Sequence, residues 1–407
     1  MESKILVSVL CTTYNHEKFI EEALKGILNQ KTNFKYEVIV HDDASTDKTQ
    51  QIIRAYEKKY PGQIRSILQK VNKRKCTLKV LYPYTRGKYI AFCEGDDFWI
   101  DENKLQIQVD FMEKHSEYGM CLHNAIKLND ATGEKRVLKT FEKEGTYSQR
   151  EQILMGFGSD FPAFASYMIR AELLKNIPQF FYEAGVLDYP LRQYYANCAP
   201  IYYFEKPMSV YRVAVEQSYM RSVSENQEFY NDYTLRMIRF FEKFNDYTDY
   251  RFDDIIKLKL QSDYLGFCTS VDEKIGKQRA IKNGLDVQYI EKNYEVLNIN
   301  YINQSIKKMN TYCDCIFIYG ISRLAKICMK QLACANIEYE GFVISDNQIK
   351  TDEYLGKKVF YLSEVNNKYD NPGFILAVQP VNVNKIENEL KKYGFNQYCK
   401  PYMLQEE

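Results

Sequence analysis

The sequence of 407 residues is long enough for two or three domains, each with its own hydrophobic core. Its 55 basic and 54 acidic residues leave a formal net charge of +1. This balance argues against nucleic acid as the main partner, because nucleic-acid-binding proteins usually present a basic face. The eleven cysteines include no Cys-x-x-Cys pair, so paired zinc spacing is missing and reduced, buried thiols are expected.

The sequence carries no pattern that predicts insertion into a membrane. No apolar run approaches the roughly 18 residues that span a bilayer. The apolar run at 5–10 is too short and too soon interrupted for a secretory signal. We therefore expect a cytoplasmic protein, which at most contacts the inner face of the membrane peripherally.

The N-terminal half alternates predicted strands with predicted helices. Apolar runs predict strands at residues 5–11, 36–40, 64–68 and 89–93. Apolar residues at helical spacing predict helices at 17–30, around 52–56 and at 103–115. Asn15 is placed to cap the first of these helices. This alternation predicts an α/β domain with a mostly parallel central sheet.

Polar clusters follow three of these strands, at residues 12–15, 42–47 and 94–97. In open parallel sheets, ligands bind beyond the carboxyl ends of the strands, so we expect the three clusters to line one site. A solvated loop or a helix cap would explain any single cluster. Each such explanation has to be invoked separately, which favours a shared binding site.

The third cluster places Glu94, Asp96 and Asp97 around one glycine. Carboxylates this close repel one another, and a protein keeps them together where a divalent cation sits between the charges. A cation held by one or two carboxylates completes its shell with water and phosphate oxygens, which predicts a nucleotide diphosphate as substrate. Taken alone, the stretch is as typical of a solvated loop before a helix that Asp101 and Glu102 would start.

Three motifs together carry a resemblance to a known family. They read Val-Ser-Val-Leu-Cys-Thr-Thr-Tyr-Asn at 7–15, Asp-Asp-Ala-Ser-Thr-Asp-Lys-Thr at 42–49 and Gly-Lys-Tyr-Ile-Ala-Phe-Cys-Glu-Gly-Asp-Asp-Phe-Trp at 87–99. In this order and spacing they resemble bacterial family 2 glycosyltransferases of the GT-A fold, over residues 3–215. The resemblance implies an inverting, metal-dependent transfer of a sugar from a nucleotide-diphosphate donor, most often a UDP-sugar. The implied acceptor is a hydroxyl of a glycan or lipid-linked molecule in bacterial surface polysaccharide or glycoconjugate synthesis.

The resemblance assigns nucleotide contacts to the first two motifs. In such enzymes the residues matching Thr12 and Tyr14 hold the base, and Asn15 lies beside them. The residue matching Asp43 contacts the base, commonly uracil, and Asp42 is a second candidate for that contact. We therefore expect these side chains to form the nucleotide-binding edge.

The acidic motif departs from the usual Asp-x-Asp of the family, because its first position is Glu94. Glutamate is one methylene longer than aspartate, so Glu94 would reach the ribose or the metal differently. We expect Asp96 to be the chief ligand of Mn²⁺ or Mg²⁺ and Asp97 to support it. Glu94 is then counted with the nucleotide contacts.

The stretch 186–191 is similar to the motif that carries the general base in this family, which points to Asp188. A sugar hydroxyl is a poor nucleophile, so a positioned carboxylate has to take its proton. Attack opposite the leaving group then inverts the anomeric centre. A structural alternative makes Asp188 a helix N-cap, with Pro190 in the first turn.

Two further segments match the family pattern. Residues 161–170 are similar to its acceptor-side strand, and 209–212 to the strand that closes the domain. Relatives often carry a histidine two residues after the arginine of that strand, where this chain has Ala214. Arg212 is therefore expected to carry more of the phosphate charge. No chemistry is assigned to the four histidines, because lone histidines are usually ordinary hydrogen-bonded residues.

We predict three regions: a GT-A domain at 1–218, a helical connector at 219–312 and a small Rossmann-like α/β domain at 313–407. The helical patterning of the connector, with many charges, predicts that it packs on the catalytic domain, whereas its mixture of aromatic and basic residues favours a different role. Contact with a membrane surface is the alternative.

The last region departs from a dinucleotide-binding fingerprint, because Ser322 stands where the second glycine after Gly320 belongs. A serine side chain would crowd a pyrophosphate, which favours an accessory role in docking, homodimer formation or acceptor placement. Two other functions stay open. One is a dinucleotide-dependent oxidoreductase or sugar-nucleotide modifying enzyme that works through this region, and the other is a non-catalytic nucleotide-binding scaffold.

Overall fold

A computed structural model of the protein describes residues 4–72, 77–138, 140–141, 143–154, 160–215, 226–257, 259–260, 278, 281, 305–309, 311–321, 323–334, 336–378 and 382–400. Contacts within the chain group into two compact units, Met1–Thr248 and Asp249–Glu407. Much of the connector predicted at 219–312 lies outside the described residues, and so does Ser322.

The described residues of the N-terminal unit form one ten-stranded sheet with helices packed on it. The strands are β1 (Ile5–Thr13), β2 (Lys35–Asp42), β3 (Ile64–Leu68), β4 (Tyr89–Glu94), β5 (Phe98–Trp99), β6 (Met120–Asn129), β7 (Lys135–Val137), β8 (Gly145–Tyr147), β9 (Met168–Arg170) and β10 (Ile201–Val213). The helices are α1 (Ile20–Leu28), α2 (Thr49–Lys59), α3 (Thr77–Leu81), α4 (Lys104–Lys114), α5 (Gln149–Leu154), α6 (Asp188–Cys198) and α7 (Gln227–Tyr247).

The sheet runs in the order β3-β2-β1-β4-β9-β6-β10-β5, with β7 beside β6 and β8 beside β10. Strands β3, β2, β1 and β4 are parallel neighbours, and β6 and β10 are parallel too. The short strands β9 and β5 run antiparallel to their neighbours. The predicted α/β fold with a mostly parallel sheet is confirmed. Because parallel strands end at one edge, Thr12 lies beside Glu94 and Thr13 beside Asp42.

Helix α1 packs on this sheet through residues spaced three or four apart, namely Ile20, Ala23, Leu24 and Ile27. The prediction that Asn15 caps the helix is wrong. Phe19 is the residue before the first turn, and it provides no side-chain cap. Asn15 adopts a φ of +54°, and its side-chain oxygen accepts a hydrogen bond from the Thr46 amide instead. Its side chain therefore joins two loops rather than starting a helix.

The segment 161–170 is not the continuous strand that the sequence predicts. A 3₁₀ turn at Phe164–Ser166 precedes β9, and the Ser166 hydroxyl closes it by donating to the Ala163 carbonyl at 2.6 Å. The turn presents two carbonyl oxygens to other elements. One accepts from Nε1 of Trp99 at 3.0 Å, and the other from Nε2 of Gln108 at 2.9 Å. These buried donors outside the segment favour the turn over an extended conformation.

Helix α7 packs on the N-terminal unit through aromatic residues. Phe240, Phe241 and Phe244 are almost completely buried, and the rings of Phe181 and Phe240 lie with centroids 5.4 Å apart. These rings belong to the core, so they do not form the membrane-facing surface considered as the alternative. No helix that the structure describes combines the length and apolar character that a membrane crossing requires.

Among the described residues, the C-terminal unit holds a six-stranded sheet in the order β13-β14-β12-β11-β15-β16. Its strands are β11 (Cys315–Tyr319), β12 (Gly341–Ile344), β13 (Glu353–Tyr354), β14 (Lys357–Tyr361), β15 (Pro372–Leu376) and β16 (Tyr398–Cys399). Its helices are α8 (Arg323–Cys334), α9 (Leu362–Lys368) and α10 (Val383–Lys392). The five strands β14, β12, β11, β15 and β16, in this order across the sheet, are parallel. This order is that of a doubly wound sheet. This is the small α/β fold predicted for the region, whose role stays a prediction.

A buried lysine lies at the start of the helix that follows the acidic motif 94–97. Lys104, the first residue of α4, is completely buried, and its Nζ donates to Oε1 of Gln108 at 2.6 Å. The same nitrogen lies 4.1 Å from the centroid of the Trp99 ring. Burial lowers the pKa of Lys104 to about 7, because the charged form is poorly solvated there.

Replacing Lys104 by methionine tests this assignment through the pH dependence of stability. The pKa of Lys104 is lowered from 10.5 to about 7 on folding, so the unfolded chain binds more protons between these pH values. The free energy of unfolding therefore rises with pH in that window, by at most about 1.4 kcal/mol per pH unit from one group. Lys104→Met should remove that rise, measured by urea unfolding between pH 7 and 9 with the fluorescence of Trp99, the sequence's only tryptophan.

Lys114→Met is the matched control, since Lys114 ends the same helix and is exposed. It should keep the wild-type slope of stability against pH. A Lys104→Met protein with the wild-type slope would show that Lys104 is charged in the folded state.

Candidate active site

Two loops are joined along the carboxyl edge of the sheet, one after β1 and one after β2. The Asn15 amide donates to Oγ of Ser45 at 2.8 Å, and the Thr46 amide donates to Oδ1 of Asn15 at 2.8 Å. The His16 amide donates to Oγ1 of Thr49, which starts α2, at 2.9 Å. These bonds cross between the loops, so the polar clusters predicted at 12–15 and 42–47 form one edge.

The two aspartates of the second cluster differ in their surroundings. Asp42 is completely buried, and its carboxylate accepts from the amide and hydroxyl of Ser45 and from Nε2 of Gln50. Asp43 is half-buried, and its amide donates to the Thr13 carbonyl at 3.0 Å. We infer that Asp42 shapes the loop, because both of its oxygens already accept hydrogen bonds. The contact of Asp43 with a base stays a prediction.

The acidic loop after β4 lies directly on the loop after β1. The Gly95 amide donates to the Thr12 carbonyl at 2.8 Å. A Cβ atom at position 95 would lie 2.7 Å from both Cβ and Oγ1 of Thr13, which is too close for any side chain. Glycine is therefore required here for the close approach of the two backbones. This approach fixes where Glu94 and Asp96 stand relative to Thr12 and Thr13.

Two carboxyl groups of the acidic loop, those of Glu94 and Asp97, have a raised pKa. Burial and the Asp96 and Asp188 charges raise the pKa of Glu94 to about 8. Burial, Asp96 and Glu94 raise the pKa of Asp97 well above its ordinary value. Oδ2 of Asp97 is buried and accepts no hydrogen bond. Carboxyl groups in such surroundings take up protons near neutral pH unless a cation stabilises their charged form.

Arg212 of β10 holds the acidic loop in place. Its amide donates to Oδ1 of Asp97 at 2.8 Å, and one guanidinium nitrogen donates to the Asp96 carbonyl at 2.6 Å. Another guanidinium nitrogen pairs with Glu22 of α1, and the residue is only 8% exposed. The sequence suggested a phosphate contact for Arg212. Its guanidinium is committed to these protein groups instead, so we assign it to positioning the loop.

Asp188 reaches the same cluster from the first residue of α6. Leu187 is the residue before the helix, so Asp188 lies within the first turn, with Pro190 after it, rather than at the N-cap. Burial raises the pKa of Tyr211 on β10, and four carboxylates raise it further, those of Asp97, Glu94, Asp188 and Asp96. The structure thus brings the predicted metal ligands and the predicted base around one tyrosine. Tyr211 itself was missed, because apolar and tyrosine residues along a strand carry no chemical motif.

His16 is a second residue near the site to which the sequence assigned no chemistry. Its Nε2 lies 3.8 Å from Oδ2 of Asp96, and its buried Nδ1 neither donates nor accepts a hydrogen bond. The position next to Asn15 brings it there, since Asn15 turns the chain in the left-handed region. Only the convergence of the two loops reveals this proximity, which no motif encodes.

Comparison with known proteins identifies the family of this domain. The family model described as "Glycosyl transferase family 2" matches residues 8–177, which include the three motifs along the carboxyl edge of the sheet. The N-terminal domain is a family 2 glycosyltransferase domain. The predicted GT-A fold agrees with this assignment.

Similar proteins match this chain over part of its length. The uncharacterized protein Rv1520 of Mycobacterium tuberculosis is 43% identical over 118 residues, 29% of this chain and 34% of that protein. The putative teichuronic acid biosynthesis glycosyltransferase TuaG of Bacillus subtilis is 33% identical over 114 residues, 28% of this chain and 44% of TuaG. The chain thus spans about a third to under a half of the length of these relatives.

A solved structure shares the fold over a longer stretch. The crystal structure of Staphylococcus aureus TarS 1–349 in complex with UDP-GlcNAc superposes with a TM-score of 0.50 and 18% sequence identity. The match covers 75% of this chain and 81% of that one. At this identity the likeness supports the GT-A fold of the glycosyltransferase domain.

Glu22→Gln tests the role of Arg212 in this domain. The substitution removes a charged partner of the buried guanidinium, whose side chain is 7% exposed against 50% for Glu22. We expect the free energy of unfolding to fall by about 1–2 kcal/mol, less than for a fully buried pair, because the cation is left poorly compensated. Urea unfolding followed by Trp99 fluorescence measures the change.

Glu21→Gln is the matched control on the same helix, because Glu21 pairs with the exposed Lys25 four residues on. Its urea midpoint should equal that of the wild type. Equal midpoints for Glu22→Gln and wild type would contradict the positioning role of Arg212.

Proposed function

We propose that the protein is an inverting glycosyltransferase that moves a sugar from a UDP-sugar to a hydroxyl of a bacterial surface polysaccharide or glycoconjugate. The observation that carries the proposal is the convergence of Glu94, Asp96, Asp97 and Asp188 beside the joined loops of the glycosyltransferase domain. Its family supports sugar transfer, and the name of TuaG supports a role in polysaccharide synthesis.

The joined loops would bind the nucleotide. Thr12 lies near the end of β1, Tyr14 and Asn15 follow that strand, and Asp43 follows β2, so all four belong to the edge where the parallel strands end. We assign the base to Thr12, Tyr14 and Asp43, and the rigid shape of the edge to Asn15. Glu94 pairs in register with Thr12, which places it next to this edge, where the ribose would follow the base.

The acidic loop fits a divalent cation, Mn²⁺ or Mg²⁺, through the chemistry of its donors. Asp97 keeps a buried carboxylate oxygen without a hydrogen bond, and the neighbouring Asp96 offers a second hard oxygen ligand. Within the described ranges, no three acidic, histidine or cysteine side chains come close enough to hold a metal on their own. This is consistent with a shell completed by water and donor phosphates. Bound there, the cation would offset the charge that develops on the leaving diphosphate.

Asp188 is assigned the proton transfer. Burial raises its pKa above that of an ordinary aspartate, which makes the carboxylate a better base than one in water. It would accept the proton of the acceptor hydroxyl as the hydroxyl oxygen bonds to the anomeric carbon. The bond between that carbon and the diphosphate oxygen breaks on the opposite face, so the configuration inverts.

Nucleotide release from a panel of UDP-sugars, assayed with Mn²⁺ and with bacterial glycan acceptors, tests the proposal. We expect Asp188→Asn to lower turnover by about 100-fold or more, the scale of a lost general base. Asp96→Asn should lower turnover and raise the Mn²⁺ concentration needed for half-maximal rate. Asp110→Asn, an exposed aspartate on α4, is the matched control and should behave as wild type.

The outcomes separate the competing functions. Turnover that survives in Asp188→Asn would defeat the assignment of the base. Calorimetric binding of UDP with no turnover of any donor would favour the nucleotide-binding scaffold over the transferase.

A further inference from the structure

Arg192 of helix α6 is an unexplained buried charge. Its side chain is completely inaccessible to solvent, and it is among the largest fully buried side chains that the structure describes. No carbonyl or carboxylate oxygen that the structure describes accepts a hydrogen bond from its Nε or its two terminal nitrogens, and its polar neighbour is the Tyr167 hydroxyl. An isolated buried cation is strongly destabilising, so such a residue calls for a specific role.

The packing of α6 does not depend on this charge. The Tyr189 hydroxyl donates to the Ile153 carbonyl at 3.3 Å, and Nε2 of Gln193 donates to the Gln152 carbonyl at 3.0 Å. These two bonds tie α6 to α5. An apolar side chain at position 192 would therefore fill the same space without the cost of burying a cation.

Two aromatic rings fix the guanidinium of Arg192. Its central carbon lies 5.0 Å from the centroid of the Tyr189 ring and 5.8 Å from that of Phe161. Rings at this distance attract a cation and restrict its motion. The guanidinium is therefore held by these rings and by the Tyr167 hydroxyl, without a carboxylate or carbonyl acceptor.

Asp188 begins the same helix four residues before Arg192, a spacing that places the two side chains on one face. The other titratable groups around Asp188 are Glu94 of β4, Tyr211 of β10 and Tyr167 just before β9, none of which is a cation. Burial raises the pKa of Asp188, and the backbone amide of Tyr189 and the Arg192 charge lower it. Arg192 is thus the cation that acts on this carboxylate within the described part of the chain.

We propose that Arg192 is a positioning residue for Asp188, the fixed counter-charge that keeps this carboxylate ionised and directed at the acceptor hydroxyl. The inference rests on the proposed function, in which Asp188 is the base. Arg192 touches neither the donor nor the reacting atoms, so its effect passes through Asp188.

Arg192→Met and Arg192→Lys test the inference, with turnover of the UDP-sugar panel measured from pH 5 to 9 and urea unfolding measured in parallel. Arg192→Met should keep or raise the unfolding midpoint, because a buried unpaired cation is lost. Its turnover at pH 7 should fall at least about tenfold, and the acidic limb of its pH–rate profile should move to higher pH. Arg192→Lys should restore part of the rate and return the limb toward the wild-type position.

Arg170→Met is the matched control, because Arg170 is also buried but donates to the carbonyls of Tyr118, Met112 and His115. It should lower the unfolding midpoint and leave the acidic limb where it is. An Arg192→Met protein that behaves in this way would show a structural role and overturn the inference.

A double-mutant cycle of Asp188→Asn and Arg192→Met, measured by urea unfolding, needs no enzymatic activity. Removing the Arg192 charge should raise the midpoint more in the Asp188→Asn background than in wild type, because the counter-charge is then missing. Additive midpoints would overturn the inference even where no donor is found. Failure of the proposed function is distinguishable, because it appears as turnover that survives Asp188→Asn.

Discussion

Repulsion among carboxylates is the constraint around which the glycosyltransferase domain is arranged. Glu94, Asp96, Asp97 and Asp188 act together on Tyr211, and burial weakens the solvation that would screen them. The domain could keep such charges apart on separate surface loops at no cost. Holding them in one place is favourable only if a cation or a polarised substrate arrives between them. The arrangement is therefore better explained by binding than by folding.

The parallel register of β2, β1 and β4 makes this convergence possible. Neighbouring parallel strands end at the same edge, so residues far apart in sequence become lateral neighbours, as Thr12 and Glu94 do. That geometry is also why much of the site could be predicted from sequence. Each polar cluster follows a buried apolar run, and the alternation with helices implies parallel strands, so the clusters had to meet.

Other features depend on contacts that no local pattern encodes. Asn15 is of a residue type that often caps helices, but its side-chain oxygen accepts a hydrogen bond from the Thr46 amide of the neighbouring loop. The turn at 164–166 is selected by donors from Trp99 and Gln108. Asp42 and Asp43 are identical in type and adjacent in sequence, so only the hydrogen bonds of the folded loop distinguish them. Tertiary partners decide all three cases, and sequence periodicity does not report them.

The two buried arginines near the acidic residues show that the same residue type can have two different roles. Arg212 is hydrogen-bonded to the acidic loop and to Glu22, so its guanidinium holds the loop in place. Arg192 has no carbonyl or carboxylate acceptor for its nitrogens, so its charge still acts on its surroundings. An acidic site that was neutralised completely would have no affinity left for a cation, and its base would be shielded from the acceptor. In the proposed transferase, Arg212 would fix the acidic loop and Arg192 would keep Asp188 ionised, while a bound cation would offset the charge of the carboxylates and of the leaving diphosphate.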